Sequence, residues 1–274
     1  MPRPRKKPAI APRVPLVVGN WKMHTTREEA VALAKEIERW IIGLHPVDTV
    51  IAPPTPWLVP VVDTFKGKPI LKFAAQNAMA GMTGAETGST SIGMLAPYIQ
   101  YLIVGHSERR TSKRDSYASI NEKIKDALKR GLTPIVCVGE FVPLYQAKRK
   151  RGRPTKDQAA SNIFMQLRKA IAGVKKADLA RIVVAYEPVW AIGSGNAATP
   201  AYAAKMIRSL RRSVARQSDK TTAAKVRILY GGSVTGSNAA SFAKATGVDG
   251  VLVGGASLNA ESFVAIVNAF ATKK

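Results

Sequence analysis

Eight short runs rich in Val, Ile and Leu recur along this chain, each set off from the next by a longer stretch. That alternation limits the available folds more than any other feature. The runs are Leu16–Gly19, Thr49–Ala52, Leu71–Ala75, Tyr101–Val104, Pro134–Val138, Arg181–Tyr186, Val226–Tyr230 and Gly250–Val253. Continuous apolar runs suit parallel strands buried on both faces. The stretches between them read as helices with recognisable ends. Thr25-x-x-Glu28 resembles a capping box ahead of Ala30–Trp40, and Thr199-Pro200 sets a cap and an N1 proline before Ala201–Ala215. Gly131 stops the stretch Ile120–Arg130. Eight such units in 274 residues match a (β/α)8 barrel. A doubly wound sheet uses the same units, but no Gly-x-Gly-x-x-Gly follows the first run, so an α/β fold of TIM-barrel type is expected.

Composition narrows the class further. Lys and Arg number 42 against 18 Asp and Glu, a formal charge of +24. Residues 1–13 hold five of the basic side chains and four prolines with no acid, and predict a disordered tail ahead of one domain spanning 14–274. A second acid-free basic run, 145–156, contains Lys148–Pro154 (KRKRGRP). A hydrophobic fraction of 46% supports a real core, and no apolar run approaches the roughly 20 residues of a membrane span. The single cysteine, Cys137, excludes an intramolecular disulfide framework, and the N-terminus lacks a secretory apolar region, so a cytoplasmic protein is expected.

In α/β architectures ligands bind at the carboxyl ends of the strands. After the first run comes Asn20-Trp21-Lys22, and after the fourth Gly105-His106-Ser107-Glu108. Glu187-Pro188-Val189-Trp190-Ala191-Ile192-Gly193 follows the sixth, Gly231-Gly232-Ser233 the seventh, and Gly254-Gly255-Ala256-Ser257 the eighth. Glycine loops after the last two strands let backbone N–H groups approach a bound phosphate. Glu187, next to apolar residues, is a candidate base, with an ordinary strand-end carboxylate as the alternative. His106 is a candidate polarising group or a structural histidine, and Lys22 a fixed cation or a rim lysine. No cluster has metal-ligand spacing, and no Gly-x-Ser-x-Gly turn is present, so neither a metal nor a serine nucleophile is expected.

Five segments together carry a resemblance to the triosephosphate isomerase family across about residues 14–272: Gly19–Met23, Gly105–Arg110, Ala185–Gly193, Tyr230–Val234, and Asp249 to Ser257. The resemblance implies an isomerase of triose phosphates that needs no cofactor. It implies Glu187 as the base and neutral His106 as the electrophile, a pairing for which this family is itself the standard example. It further implies Lys22 as the cation favouring the enediolate, Asn20 as a supporting donor, and Glu108 as a carboxylate near the lysine. Pro188, Val189, Trp190, Ala191, Ile192 and Gly193 match a lid, Tyr230 and Ser233 its latch, and Ile192 with Leu252 a clamp on Glu187. Gly193, Ser233, Gly254 and Gly255 match the phosphate grip.

The family also implies a homodimer, formed by a loop matched here by Gln76-Asn77 and Thr83–Gly88. Thr87-Gly88-Ser89 stands where the family has Thr-Gly-Glu, removing the acidic partner expected for Arg109, and Thr111-Ser112-Lys113-Arg114 replaces an acidic stretch. The segment KRKRGRP is longer than the family pattern and resembles an AT-hook core. With the +24 charge, it predicts non-specific, salt-sensitive adhesion to nucleic acid. Two other functions fit the fold: an isomerase of a four-carbon ketose phosphate, and a basic barrel whose main role is nucleic-acid binding. A Schiff-base aldolase would need an inward lysine, for which Lys72 is the candidate.

Overall fold

The structure, a computed structural model, describes residues 13–65, 67, 69–111, 115–140, 156–191 and 197–272, excluding the side chains of 156–161. The chain alternates strands and helices: β1 (Leu16–Asn20), α1 (Arg27–Ile41), β2 (Asp48–Ala52), α2 (Thr55–Asp63), β3 (Lys72–Ala75), α3 (Ile92–Leu95), β4 (Tyr101–Val104), α4 (Ser107–Thr111) and α5 (Tyr117–Lys129). It continues through β5 (Thr133–Gly139), α6 (Lys156–Ala170), α7 (Lys176–Leu179), β6 (Val183–Glu187), α8 (Pro200–Gln217), α9 (Lys220–Lys225), β7 (Arg227–Tyr230), α10 (Ala239–Lys244), β8 (Gly250–Val253) and α11 (Ala260–Ala271). The strands pair in sequence order, all parallel, and β8 closes on β1 with Leu16 opposite Gly250. The fold is therefore the expected TIM barrel.

Side chains alternate across a strand, so every second residue points into the barrel. Leu16 and Val18 of β1, Val183 and Ala185 of β6, and Leu229 of β7 belong to one buried inner cluster. The residues between them, such as Val17, Val184 and Ile228, pack outward against the helices. The same parity at the amino ends of the strands brings Asp48, Lys72, Tyr101 and Arg227 together. Asp48 bonds Lys72 and Arg227 at 2.6 Å each, and Arg227 donates to the Tyr101 hydroxyl at 3.1 Å. Lys72 thus lies at the end of the barrel opposite the loops of interest, held as an ion pair, and does not serve a Schiff-base site.

Helix ends follow local chemistry. Thr199 caps α8 by accepting the Tyr202 N–H, with Pro200 at N1. After α5, Gly131 takes a left-handed φ of +81° while its N–H and that of Leu132 bond Leu128 and Ala127 carbonyls, a Schellman end. The capping box of α1 sits one residue later than expected. Thr26 and Glu29 exchange the two bonds, and Thr25 turns to a φ of +80° to start the helix in that register. Arg13, the last residue of the expected tail, is tied to the barrel through Asp249 at 2.7 Å and the Ala224 carbonyl. Residues 1–12 and the KRKRGRP segment lie outside the described residues. Among the described residues no helix is long and apolar enough to cross a membrane.

Candidate active site

Inward parity carries past the apolar part of each strand and delivers polar residues to one mouth of the barrel. In β1 the inward series Leu16, Val18 ends in Asn20, and in β6 Val183, Ala185 ends in Glu187. Both polar residues close their strands as backbone-paired members, Glu187 opposite Gly139 and Asn20 opposite Ala52. Their side chains are buried, Glu187 to 1% exposure. Gly231 makes room for this carboxylate: a β-carbon there would meet Glu187 Cγ at 3.1 Å.

Glu187 meets His106 across the mouth. Its Oε1 lies 3.1 Å from His106 Nε2, and its Oε2 accepts the Ser107 N–H at 2.9 Å. The other ring nitrogen of His106, Nδ1, accepts the Glu108 N–H at 3.3 Å. A nitrogen that accepts a backbone N–H carries no proton, so the network assigns a neutral imidazole protonated at Nε2. The Glu108 carboxylate also lies 3.6 Å from Nδ1, but the N–H donor is closer and decides the tautomer. Arg110, buried, fixes this turn by donating to the Gly105 and Cys137 carbonyls. Burial first, then the charge of Glu187, pushes the Cys137 thiol up, so it stays protonated.

Lys22 is held in a conformation few residues adopt. Its φ is +54°, in the left-handed region, at a cost of about 1–2 kcal/mol. Its N–H bonds Asn20 Oδ1 at 3.1 Å and its carbonyl accepts Gln76 Nε2 at 2.7 Å, which together hold the turn. The ammonium bonds Glu108 Oε1 at 2.6 Å. Burial opposes the charge of Glu108, but the hydrogen bond and charge of Lys22 help hold this carboxyl below its ordinary value.

A cavity of about 320 Å³ opens over these groups, near the lower end of the roughly 300–1,000 Å³ usual for small-molecule pockets. Asn20, Lys22, His106 and Glu187 line it together with Gly231, Gly232, Ser233, Gly254 and Gly255. Leu252 lines it as well, on the inward parity of β8. The arrangement offers one anion-accepting backbone wall, one fixed cation, one base and one neutral hydrogen-bond donor.

Pro188–Ala191 leave β6 as a tight turn, in which Ser233 Oγ donates to the Ala191 carbonyl at 2.6 Å. Beyond the segment 192–196, the Ala198 N–H donates to the Tyr230 hydroxyl at 2.9 Å. Ile192 and Gly193 lie outside the described residues. Glu140, which the sequence reading passed over, accepts from Tyr186 and Tyr202 hydroxyls at 2.6 and 2.7 Å and from Trp190 Nε1 at 2.7 Å. Its signal was positional: Glu140 directly follows the last residue of β5. Thr235 and Asn238 were also missed. Both line the cavity, and Asn238 braces the loop by accepting the Thr235 N–H and donating to the Ser233 carbonyl. At the dimer-loop positions, Asn77 accepts from buried Lys123, which also bonds Asp115 at 2.6 Å. Arg109 Nη2 lies 3.7 Å from the same Asp115, an acid that directly follows the basic stretch at 111–114.

Comparison with known proteins identifies relatives of this chain. A protein-family model described as triosephosphate isomerase matches residues 15–270. The triosephosphate isomerase of Caldanaerobacter subterraneus subsp. tengcongensis is 42% identical over 257 residues, covering 93% of this chain and 99% of that protein. That of Streptococcus pyogenes serotype M18 is 39% identical over 257 residues, covering 93% and 98%.

Proposed function

The chain belongs to the triosephosphate isomerase family, and from that premise we propose how its site interconverts dihydroxyacetone phosphate and D-glyceraldehyde 3-phosphate. One observation supports the assignment of roles: the buried Glu187 carboxylate 3.1 Å from His106, in one small cavity that the glycine loops after β7 and β8 also line. Glu187 takes a proton from the carbon beside the carbonyl and returns it to the neighbouring carbon. The Nε2–H of His106 turns from Glu187 to the substrate carbonyl oxygen, where negative charge grows as the proton leaves. Lys22 stabilises that charge, and Asn20 holds Lys22 in place. Glu108 positions the lysine rather than meeting substrate.

The phosphate rests on the backbone N–H groups of Ser233, Gly254 and Gly255, with Gly193 joining them from beyond the described residues. Pro188–Gly193 close over the substrate, and water exclusion protects the enediolate. Ser233 bonds the Ala191 carbonyl and Tyr230 accepts the Ala198 N–H, which supports the latch role the resemblance implies for both. The chain works as a cytoplasmic homodimer. Met23, beside Lys22, is 95% exposed and Met82, after β3, 56% exposed, flexible apolar side chains that a second copy would cover.

The test is the rate of glyceraldehyde 3-phosphate isomerisation, wild type against Glu187→Ala, with a four-carbon ketose phosphate assayed in parallel. Fast triose turnover that collapses in the variant is expected. A folded wild type that is inactive on the triose, or faster on the four-carbon sugar, overturns the assignment.

A further inference from the structure

Outside the basic runs 1–13 and 145–156, one helix face carries a row of positive charge. In α1, three basic side chains (Arg27, Lys35, Arg39) mix with four acidic ones (Glu28, Glu29, Glu36, Glu38). In α8 five basic side chains occur with no acid in eighteen residues. One of them, Arg211, turns inward to Asp249 and to the Ala223 and Val226 carbonyls. The other four, Lys205, Arg208, Arg212 and Arg216, are exposed at steps of three or four residues. Such steps keep them on one side of the helix, about 16 Å from end to end at 1.5 Å per residue.

Among the described residues no carboxylate comes within 4.0 Å of any of the four. The nearest acid in sequence, Asp219, is already committed to capping α9 through the Thr222 N–H and hydroxyl. We propose that this ridge of α8 binds the phosphodiester backbone of a nucleic acid, without base specificity. Cations spaced by about one helical turn on a rigid support suit a chain of evenly spaced phosphates. A lipid surface would need apolar side chains beside the cations, and none of the large exposed hydrophobic residues lies on α8. A protein partner would need apolar or aromatic anchors at the centre of the patch, and the ridge has none.

The experiment titrates full-length protein against labelled duplex DNA and single-stranded RNA of mixed sequence, by anisotropy, between about 50 and 200 mM salt. Three proteins are compared: wild type, K205Q/R208Q/R212Q/R216Q, and K35Q/R39Q/K125Q/K129Q, which removes equal charge from exposed sites elsewhere. Isomerase activity and melting temperature establish that each is folded, and R212Q/R216Q replaces the fourfold variant if that one is not. Wild type is expected to bind with a steep salt dependence. The α8 variant should lose at least about tenfold in affinity and flatten the log–log salt slope by about 0.9 per lost contact, while the control keeps most of its binding. Equal losses in both variants, no binding by wild type, or equal competition by anionic vesicles or polyglutamate would overturn the proposal.

Discussion

Glu187 rests against the group proposed to polarise the substrate carbonyl: Oε1 sits 3.1 Å from Nε2 of His106, while Oε2 holds the Ser107 N–H at 2.9 Å. Both bonds hold the carboxylate in place. In the proposed mechanism substrate entry breaks the first, because the carbonyl oxygen competes for the same Nε2–H. Glu187→Gln keeps the size of the side chain and removes the base. Turnover should fall by roughly 10²–10⁴-fold. Thermal stability should hold or rise, since a buried charge is removed from the site. Steady-state rates and melting curves measured on one preparation check both halves. A rate within tenfold of wild type would remove Glu187 from the mechanism.

Glu140 gathers three donors on one carboxylate, from β6, the turn after it, and α8. Burial first, then the hydrogen bond and charge of Glu140, pushes the Tyr202 phenol up to about 12. Tyr186 is raised further by the same causes. In Glu140→Gln the negative charge is gone, and the Tyr202 phenol should titrate closer to its ordinary value near 10. Tyrosinate absorbance across alkaline pH reads the change. An unaltered titration would show that Glu140 does not govern these hydroxyls. Turnover should also fall, because the variant weakens the hold on Trp190 at the base of the segment that follows Glu187.

Much of this site was legible because two periodicities coincide. The inward series in β1 and β6 run from apolar residues straight into Asn20 and Glu187, so strand parity alone aims both side chains into the mouth. The apolar runs ended one residue early at both places. A polar side chain ends hydrophobicity without ending backbone pairing, and the ladder continues through Asn20 and Glu187. Glu140 was illegible for a different reason. Its role depends on Tyr186, Trp190 and Tyr202 converging from separate elements, which no local pattern encodes. The register of the α1 cap was ambiguous in Thr25-Thr26-Arg27-Glu28-Glu29, where two overlapping capping boxes can be written and the turn before the helix selects one.

At the opposite end of the barrel, Asp48 carries a pH signature. Burial opposes its charge, but hydrogen bonds and charge from Lys72 and Arg227 outweigh that cost and hold its carboxyl below the ordinary value. A carboxyl depressed in the folded state contributes stability that is fully present above its unfolded value near 3.9 and is lost as pH falls through the folded one. Asp48→Asn should therefore cost about 1–3 kcal/mol at neutral pH, because Arg227 is left partly buried beside a neutral partner. The gap between wild type and variant should narrow as pH drops below about 4. Denaturant unfolding at several pH values measures it, and a gap independent of pH would contradict the ion-pair account.

Arg109 lies 3.7 Å from Asp115 of its own chain, and Asp115 also receives buried Lys123 at 2.6 Å. The resemblance to the family leads to an acidic partner for Arg109 at a position that here is Ser89. The proposed dimer therefore lacks one charge pair across its interface, while the intrachain acid remains. Restoring the acid with Ser89→Glu should tighten association by about tenfold, equivalent to about 1.4 kcal/mol. Sedimentation velocity over a dilution series should show wild type dissociating at higher concentration than the variant. Identical dissociation curves, or a wild-type dimer intact at nanomolar protein, would mean that the missing acid does not limit assembly, and the exposed Met23 and Met82 would then carry the interface.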